Sequence, residues 1–320
     1  MFSKFRLALI ASVITFSPAG LASASAEPLK VIASFSIIGD FAKNVGGDGV
    51  EVTTLVGPDG DAHVYEPKPA DAVAMAGADV VLVNGLHFEG FLERLVETSG
   101  AKAQIVELTK GIEPLKMQEE EHGHEAEGEA HDAAAEAEEG HHHGDTDPHA
   151  FQSIANAKIY VKNIADAFCA ADAERCDVYK ANAEAYTQKL AATEDEVKAA
   201  VAAIPEDKRV IITSHDAFGY FEYEYGLTFL APEGVSTEAE ASAADVAALI
   251  RQVREDKASA IFVESITNAR LAEQIATETG LKVGGTLYSD ALSAADGPAP
   301  TYIDLMRHNI ETIKGAVLGS

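Results

Sequence analysis

Along most of the chain, short β-branched runs alternate with stretches whose apolar residues recur every three or four positions. Leu29–Ser34 reads as a buried strand and Ile37–Val45 as a helix, closed by the glycines at 46, 47 and 49. Glu51–Val56 is the next strand, and it runs into Gly57–His63, a segment of turn formers that reads as loop. Ala70–Ala76 is a short helix and Asp79–Val83 an apolar strand. Phe88–Ser99 is an amphipathic helix stopped by Gly100, and Gln104–Leu108 a further strand. This alternation predicts a parallel sheet covered on both faces.

The second half repeats the alternation. Asp147 stands where an N-cap would, with Pro148 at the first position of a helix running to about Ala170. From Asp177 to Ile204 the apolar positions are Tyr179, Ala183, Tyr186, Leu190, Val197, Val201 and Ile204, and Thr193 fills their one gap. Every step is then three or four residues, which makes one face of a helix of about 28 residues, roughly 40 Å long. Pro205 ends it. A helix of that length exceeds the needs of one small lobe and reads as a spine joining two. Beyond it, Arg209–Thr213, Ala260–Val263 and Lys282–Leu287 read as strands. Ala217–Glu224, Ser242–Asp256 and Asn268–Thr279 read as helices, and a last helix begins near Pro300. No close sequence repeat relates the halves. The expected fold class is α/β: two lobes, each a mostly parallel sheet flanked by helices, joined by one long rigid helix. The expected divisions are 27–171 for the first lobe, 172–205 for the linking helix and 206–320 for the second lobe.

Two stretches break the pattern. Residues 1–26 have a basic start at Lys4 and Arg6, an apolar core from Leu7 to Phe16, and Ala24-Ser25-Ala26 at the end. That is the form of a secretory signal peptide cleaved before Glu27. Its core is too short for a membrane span, and no cysteine stands at the cleavage point to carry a lipid. The second stretch, Glu119–His149, is built of carboxylates, histidines, Gly and Ala but for Thr146 and Pro148, without a single Lys or Arg. It cannot bury enough apolar surface to offset the entropy of ordering, so residues 119–146 are expected to form a disordered loop. Acids alone would read as a solvated tract. However, His122, His124, His131 and His141–His143, six of the chain's eleven histidines, also lie here. Imidazole is a ready ligand for divalent transition metals, so the loop reads as a weak metal collector.

Charge and cysteine content sharpen this picture. A formal net charge of −28 argues against nucleic acid and anionic membranes as partners and suits the attraction of cations. Cys169 and Cys176 are the only cysteines, and in an oxidising compartment they are expected to close a small disulfide loop.

His63, His215 and Asp290 each follow a predicted strand, and His149 lies just past the acidic loop. Carboxyl ends of strands line the ligand crevice of doubly wound sheets. Two residues from each lobe would therefore converge if the lobes face each other. Three imidazoles and a carboxylate suit a tetrahedral zinc shell, and its affinity is expected to fall below about pH 6.5, where free imidazole protonates. Each residue also has a plainer reading. His63 fits a surface position in a glycine-rich loop, and His149 the last member of the acidic run. His215 fits a helix start bonded to Asp216, and Asp290 a cap for the turn before Ser293. His87 lies at a strand end and is a reserve ligand, whereas His308 is expected on a solvated face. The chain has no G-x-S-x-G elbow, no phosphate-cradling glycine loop and no dinucleotide fingerprint. Ser214-His215-Asp216 has triad residue types, but three consecutive side chains cannot form a triad.

Four segments occur in order: VGPDGDAHVYEP (Val56–Pro67), Asp147-Pro148-His149, SHDAFGYF (Ser214–Phe221) and GTLYSD (Gly285–Asp290). Together they resemble the metal-binding solute receptors of zinc and manganese ABC importers, over essentially the whole mature chain. The resemblance implies two α/β lobes joined by a long helix, with a metal between them held by His63, His149, His215 and Asp290. It also makes Glu264, in Ile261–Glu264, an acceptor for a ligand imidazole. Manganese-type members tend to place Glu where His215 stands, and a His-rich acidic insertion is a feature of zinc-type members. Asp290 departs from zinc receptors that use water as the fourth ligand. The function implied is capture of Zn2+ in the periplasm, without catalysis, and delivery to an ABC permease with its own ATPase. A periplasmic metallochaperone is a further expected partner, and the protein is expected to be a monomer with no membrane span. The alternatives are a Mn2+ or Fe2+ receptor of the same family, or a secreted zinc-dependent hydrolase. A hydrolase needs an open coordination position and a general base, whereas four protein ligands close the shell.

Overall fold

The computed structural model of the protein describes residues 27–116, 146–239 and 241–319. The expected signal peptide, 1–26, and all of the expected disordered loop but Thr146 lie outside the described residues.

The first lobe contains β1 (Leu29–Phe35), α1 (Ser36–Gly46), β2 (Val50–Val56), α2 (Pro69–Ala76), β3 (Val80–Val83), α3 (Leu92–Ser99) and β4 (Gln104–Glu107). Its strands are all parallel, in the order β2-β1-β3-β4. Val31–Phe35 of β1 are buried without a break, because helices cover both faces of a central parallel strand. Then come α4 (Ile154–Ala171) and α5 (Cys176–Ala202). The second lobe follows with β5 (Val210–Ile212), α6 (Gly219–Tyr225), β6 (Thr228–Leu230) and α7 (Ala243–Glu255). It continues with β7 (Ala260–Glu264), α8 (Ala269–Thr279), β8 (Val283–Leu287) and α9 (Tyr302–Leu318). Its parallel order, β6-β5-β7-β8, is that of the first lobe. Both lobes thus reverse their strand progression beside a central strand, where α/β sheets place ligands.

The long helix is present as its periodicity predicts. Tyr179, Ala183, Tyr186, Leu190, Thr193, Val197 and Val201 form its buried stripe. α5 packs against α1 and α4 on one side and α6 and α9 on the other, so one core runs through both lobes. Polar ties fasten it at several points. The Tyr186 hydroxyl donates to Asp40 of α1 at 3.1 Å, and that carboxylate also accepts the Tyr302 backbone N–H of α9 at 3.1 Å. Arg307 of α9 grips Glu196 with two bonds, of 2.6 and 2.9 Å.

Cys169 and Cys176 form the expected disulfide, pinning the end of α4 to the start of α5 with a Cα–Cα distance of 4.4 Å. Closing so short a loop restricts the unfolded chain by about 2.5 kcal/mol. Replacing both cysteines with serine is therefore expected to lower Tm by about 5 °C in calorimetry. An unchanged Tm would show that the bond adds no stability.

Three elements and one side chain differ from the sequence expectation. α4 begins at Ile154, capped by the Ser153 hydroxyl, and not at Pro148. The Asp147 carboxylate is occupied by its neighbour His149, whose ψ of 39° is not helical. α3 begins at Leu92 and not Phe88, because Gly85, Leu86 and His87 all have positive φ and delay the helix. β6 was not foreseen, being three residues paired only through β5. His308, expected on a solvated face, is half-buried there, with Nε2 2.9 Å from the Thr286 carbonyl and its ring against Tyr288.

Candidate metal centre

The loop after β2 carries His63. Asp61 accepts the His63 N–H at 2.9 Å, and its other oxygen accepts the Thr237 hydroxyl of the second lobe at 2.6 Å. The plainer reading of His63 as a surface residue fails, since it is only 6% exposed.

His149 is aimed by Asp147, whose Oδ1 lies 2.8 Å from both the His149 backbone nitrogen and ring Nδ1. Asp147 is itself held at both ends of its backbone. Its N–H donates to Leu115 at 2.9 Å, and its carbonyl accepts the Tyr220 hydroxyl of α6 at 3.2 Å. That hydroxyl also accepts the Leu115 N–H at 3.0 Å, so one side chain of the second lobe clasps both strands of the stem leading to His149. Gly219, the first residue of α6, leaves no room for a side chain: a Cβ there would lie 2.5 Å from Asp147 Oδ2.

His215 follows β5 and is aimed by Glu264 at the end of β7. Glu264 Oε1 accepts the backbone N–H groups of Ser214 and His215, each at 2.8 Å, and Oε2 lies 2.6 Å from His215 Nδ1. This is the role the resemblance implied for Glu264. Asp290 follows β8 on a turn locked by Asn309 of α9, which bonds the Tyr288 N–H at 2.9 Å and the Tyr288 carbonyl at 2.7 Å.

All four side chains converge. Asp290 Oδ2 lies 3.2 Å from His63 Nε2, 3.2 Å from His215 Nε2 and 3.6 Å from His149 Nε2. The Nε2 atoms of His63 and His149 are 3.4 Å apart, and one donor atom from each residue falls within 4.8 Å of the rest. A tetrahedral ion about 2.0–2.1 Å from each donor spaces its donors about 3.3–3.4 Å apart. The contacts of Asp290 with the three imidazoles and of His63 with His149, at 3.2–3.6 Å, are close to that spacing. Phe88 and Phe151 close around the imidazoles, with Phe88 4.8 Å from His63 and Phe151 5.9 Å from His149 between ring centres. His87 is not brought into the cluster; it is exposed at the rim of an opening above His63.

The electrostatics demand a cation. Asp290, Asp147 and Glu264 are all buried, so with neutral imidazoles the centre carries a formal charge of −3 in a dry setting. Burial alone would lower the imidazoles of His149 and His215. The carboxylates outweigh it: Asp290 and Asp147 push His149 up to about 9, and Glu264 with Asp290 holds His215 well above its usual value. Burial would raise Asp290, but His149 and His215 hold it well below the carboxylate range. Carboxylates at Nδ1 of His149 and His215 favour the proton on that nitrogen and leave Nε2 to point inward. Asp290 Oδ1 is buried and has no hydrogen-bond partner, which leaves a second carboxylate oxygen free to serve an ion.

Sequence reasoning missed Asp147, Tyr220 and Asn309 as supports. Only Asp147 had a local signal, and the Asp-Pro pair reads equally well as a helix start.

Residues 31–316 match the family described as zinc-uptake complex component A, periplasmic. The chain belongs to that family. Its members are metal-binding solute-binding proteins of ABC importers, so this chain is a transport component and not an enzyme, and its partners are a permease and its ATPase. The hydrolase alternative is not favoured. The chain is 33% identical to the iron-binding protein YfeA of Yersinia pestis over 316 residues, covering 96% of this chain and 95% of YfeA. Its fold resembles the Mn-bound periplasmic metal binding protein of Candidatus Liberibacter asiaticus (TM-score 0.76, 33% identity), covering 90% of this chain and 98% of that one. It also resembles the periplasmic zinc binding protein TroA of Treponema pallidum (TM-score 0.79, 28% identity), covering 91% and 99% respectively. Among the described residues, no helix is long and apolar enough to cross a membrane.

Proposed function

We propose that this chain captures Zn2+ in the periplasm, with His63, His149, His215 and Asp290 as its ligands, and hands it to the permease of an ABC importer. The observation that carries the reading is the meeting of three imidazole nitrogens and one carboxylate oxygen, all within 4.8 Å of one another, in a buried centre rich in carboxylates. Such a nitrogen-rich shell suits a borderline ion better than a hard one. A second reading, Mn2+ or Fe2+, has its own support. If the unpaired Asp290 Oδ1 also binds, the shell gains a fifth, harder donor. The relatives include one named for iron and one solved with manganese. A periplasmic metallochaperone would deliver ions to the same centre, and the chain would act as a monomer.

Metal analysis of protein purified without added metal, followed by competition between Zn2+ and Mn2+, tests the choice. One Zn2+ per chain that excess Mn2+ does not displace supports zinc; bound Mn2+ or Fe2+ in its place supports the second reading. The donor at position 215 is the lever. His215→Glu substitutes an oxygen for a nitrogen and is expected to narrow the zinc-over-manganese preference about tenfold or more. An unchanged affinity ratio would mean that His215 does not set the selectivity.

A further inference from the structure

The turn between β3 and α3 has an uncommon backbone. Gly85, Leu86 and His87 have φ of +88°, +55° and +60° in succession, a region that side-chain-bearing residues enter only at a cost. The turn is held there from beneath. Glu89, buried, accepts the backbone N–H groups of Asn84 at 2.6 Å and Gly85 at 3.3 Å, and the Ser34 hydroxyl at 2.6 Å. Asn84 in turn donates to the Pro148 carbonyl at 2.8 Å, tying the turn to the segment that carries His149. Strain that the surroundings over-determine in this way is a mark of functional positions.

This backbone brings Leu86 and the exposed His87 to the rim of a narrow opening floored by His63. Thr146, Pro148, Val235 and Ser236 complete the rim, so both lobes contribute to it. The volume open to the centre of a water molecule is about 10 Å³, enough to seat about one water. A divalent ion with its full hydration shell does not fit, and it must shed water before reaching His63. Removing water from a divalent ion without a replacement donor costs free energy, and a donor that takes the vacated position lowers that cost. Among the described residues, His87 is the one imidazole besides His63 that lines this opening.

We propose that His87 is a transit ligand. Its imidazole takes the incoming ion at the rim in exchange for water, passes it inward to His63, and receives it first on release. His87 is therefore distinct from the four resting donors, and it acts on the rates of loading and unloading while leaving resting affinity alone. The proposal rests on the reading that the four-residue cluster holds the metal.

Two variants separate imidazole from backbone. His87→Asn removes the imidazole but keeps a residue that tolerates left-handed φ, whereas His87→Gly removes both the imidazole and the backbone cost. Zn2+ alone is the probe, with the full mature chain, stopped-flow loading, and release into excess chromophoric chelator. Both variants are expected to load and release about tenfold more slowly with Kd within about twofold of wild type, since a lowered barrier acts in both directions. Wild-type rates in either variant would overturn the transit role. So would a changed Kd at an unchanged loading rate, which would make His87 a resting ligand. His149→Ala, run alongside, keeps the two readings apart. If that variant binds Zn2+ like wild type, the four-residue centre fails and the transit role falls with it. If it loses the site while the His87 variants load normally, only the transit role fails.

Discussion

Zn2+ binding by His149→Ala is expected to be weaker than wild type by a factor of about 10 to 100, or about 1.4–2.8 kcal/mol. His149 supplies one of four donors, in a pocket closed by Phe88 and Phe151. Its removal also takes the ring partner from buried Asp147 Oδ1, which keeps only the backbone N–H of position 149. His63→Ala and His215→Ala should behave alike, the latter stranding Glu264 Oε2. Asp290→Ala should cost less where water takes the oxygen's place. His308→Ala is the control, because His308 bonds the Thr286 carbonyl and supplies no donor to the cluster. Competition with a chelator of known affinity measures each variant, and the rise in Tm on adding Zn2+ should shrink in parallel. With circular dichroism confirming the fold, wild-type affinity in all four variants would sink the ligand assignment.

The centre was legible in the sequence because its residues sit where chain topology puts ligands. His63, His215 and Asp290 follow β2, β5 and β8, and parallel order in both lobes sends those ends to one crevice. α5 was legible because its stripe repeats over seven turns, longer than any chance pattern is apt to run. What stayed hidden depends on partners remote in the chain. Asn309 holds Tyr288, on the turn that carries Asp290, from 21 residues away in sequence, and Tyr220 holds Asp147 from 73 residues away. Neither spacing has a local signature. The same limit explains α4: Asp147-Pro148 is a sound helix start until His149 claims the carboxylate. It also explains His63, whose loop reads as surface until Thr237 and Phe88 cover it.

Metal binding at pH 7 is expected to release at least one proton, and affinity should climb with pH across the neutral range. An ordinary imidazole loses its proton near 6.5, so an unperturbed site would weaken only below that value. This site is different. Asp290 and Asp147 push His149 up to about 9, and Glu264 with Asp290 holds His215 above the ordinary value, both against the opposing effect of burial. Below pH 9 the metal-free centre therefore keeps a proton on His149 that an incoming ion must displace. Groups raised in the free protein and unprotonated in the complex make affinity rise with pH, about tenfold per unit for each proton displaced. Asp290 adds no opposing slope, since it stays ionised throughout. The window of weakening thus runs from about pH 9 downward, and acidification becomes a stronger means of unloading the site than ordinary imidazoles would allow. Calorimetry at pH 7 in two buffers of different ionisation enthalpy counts the protons directly. A count of zero, together with flat affinity between pH 6 and 8, would show that the surrounding carboxylates do not hold protons on these rings.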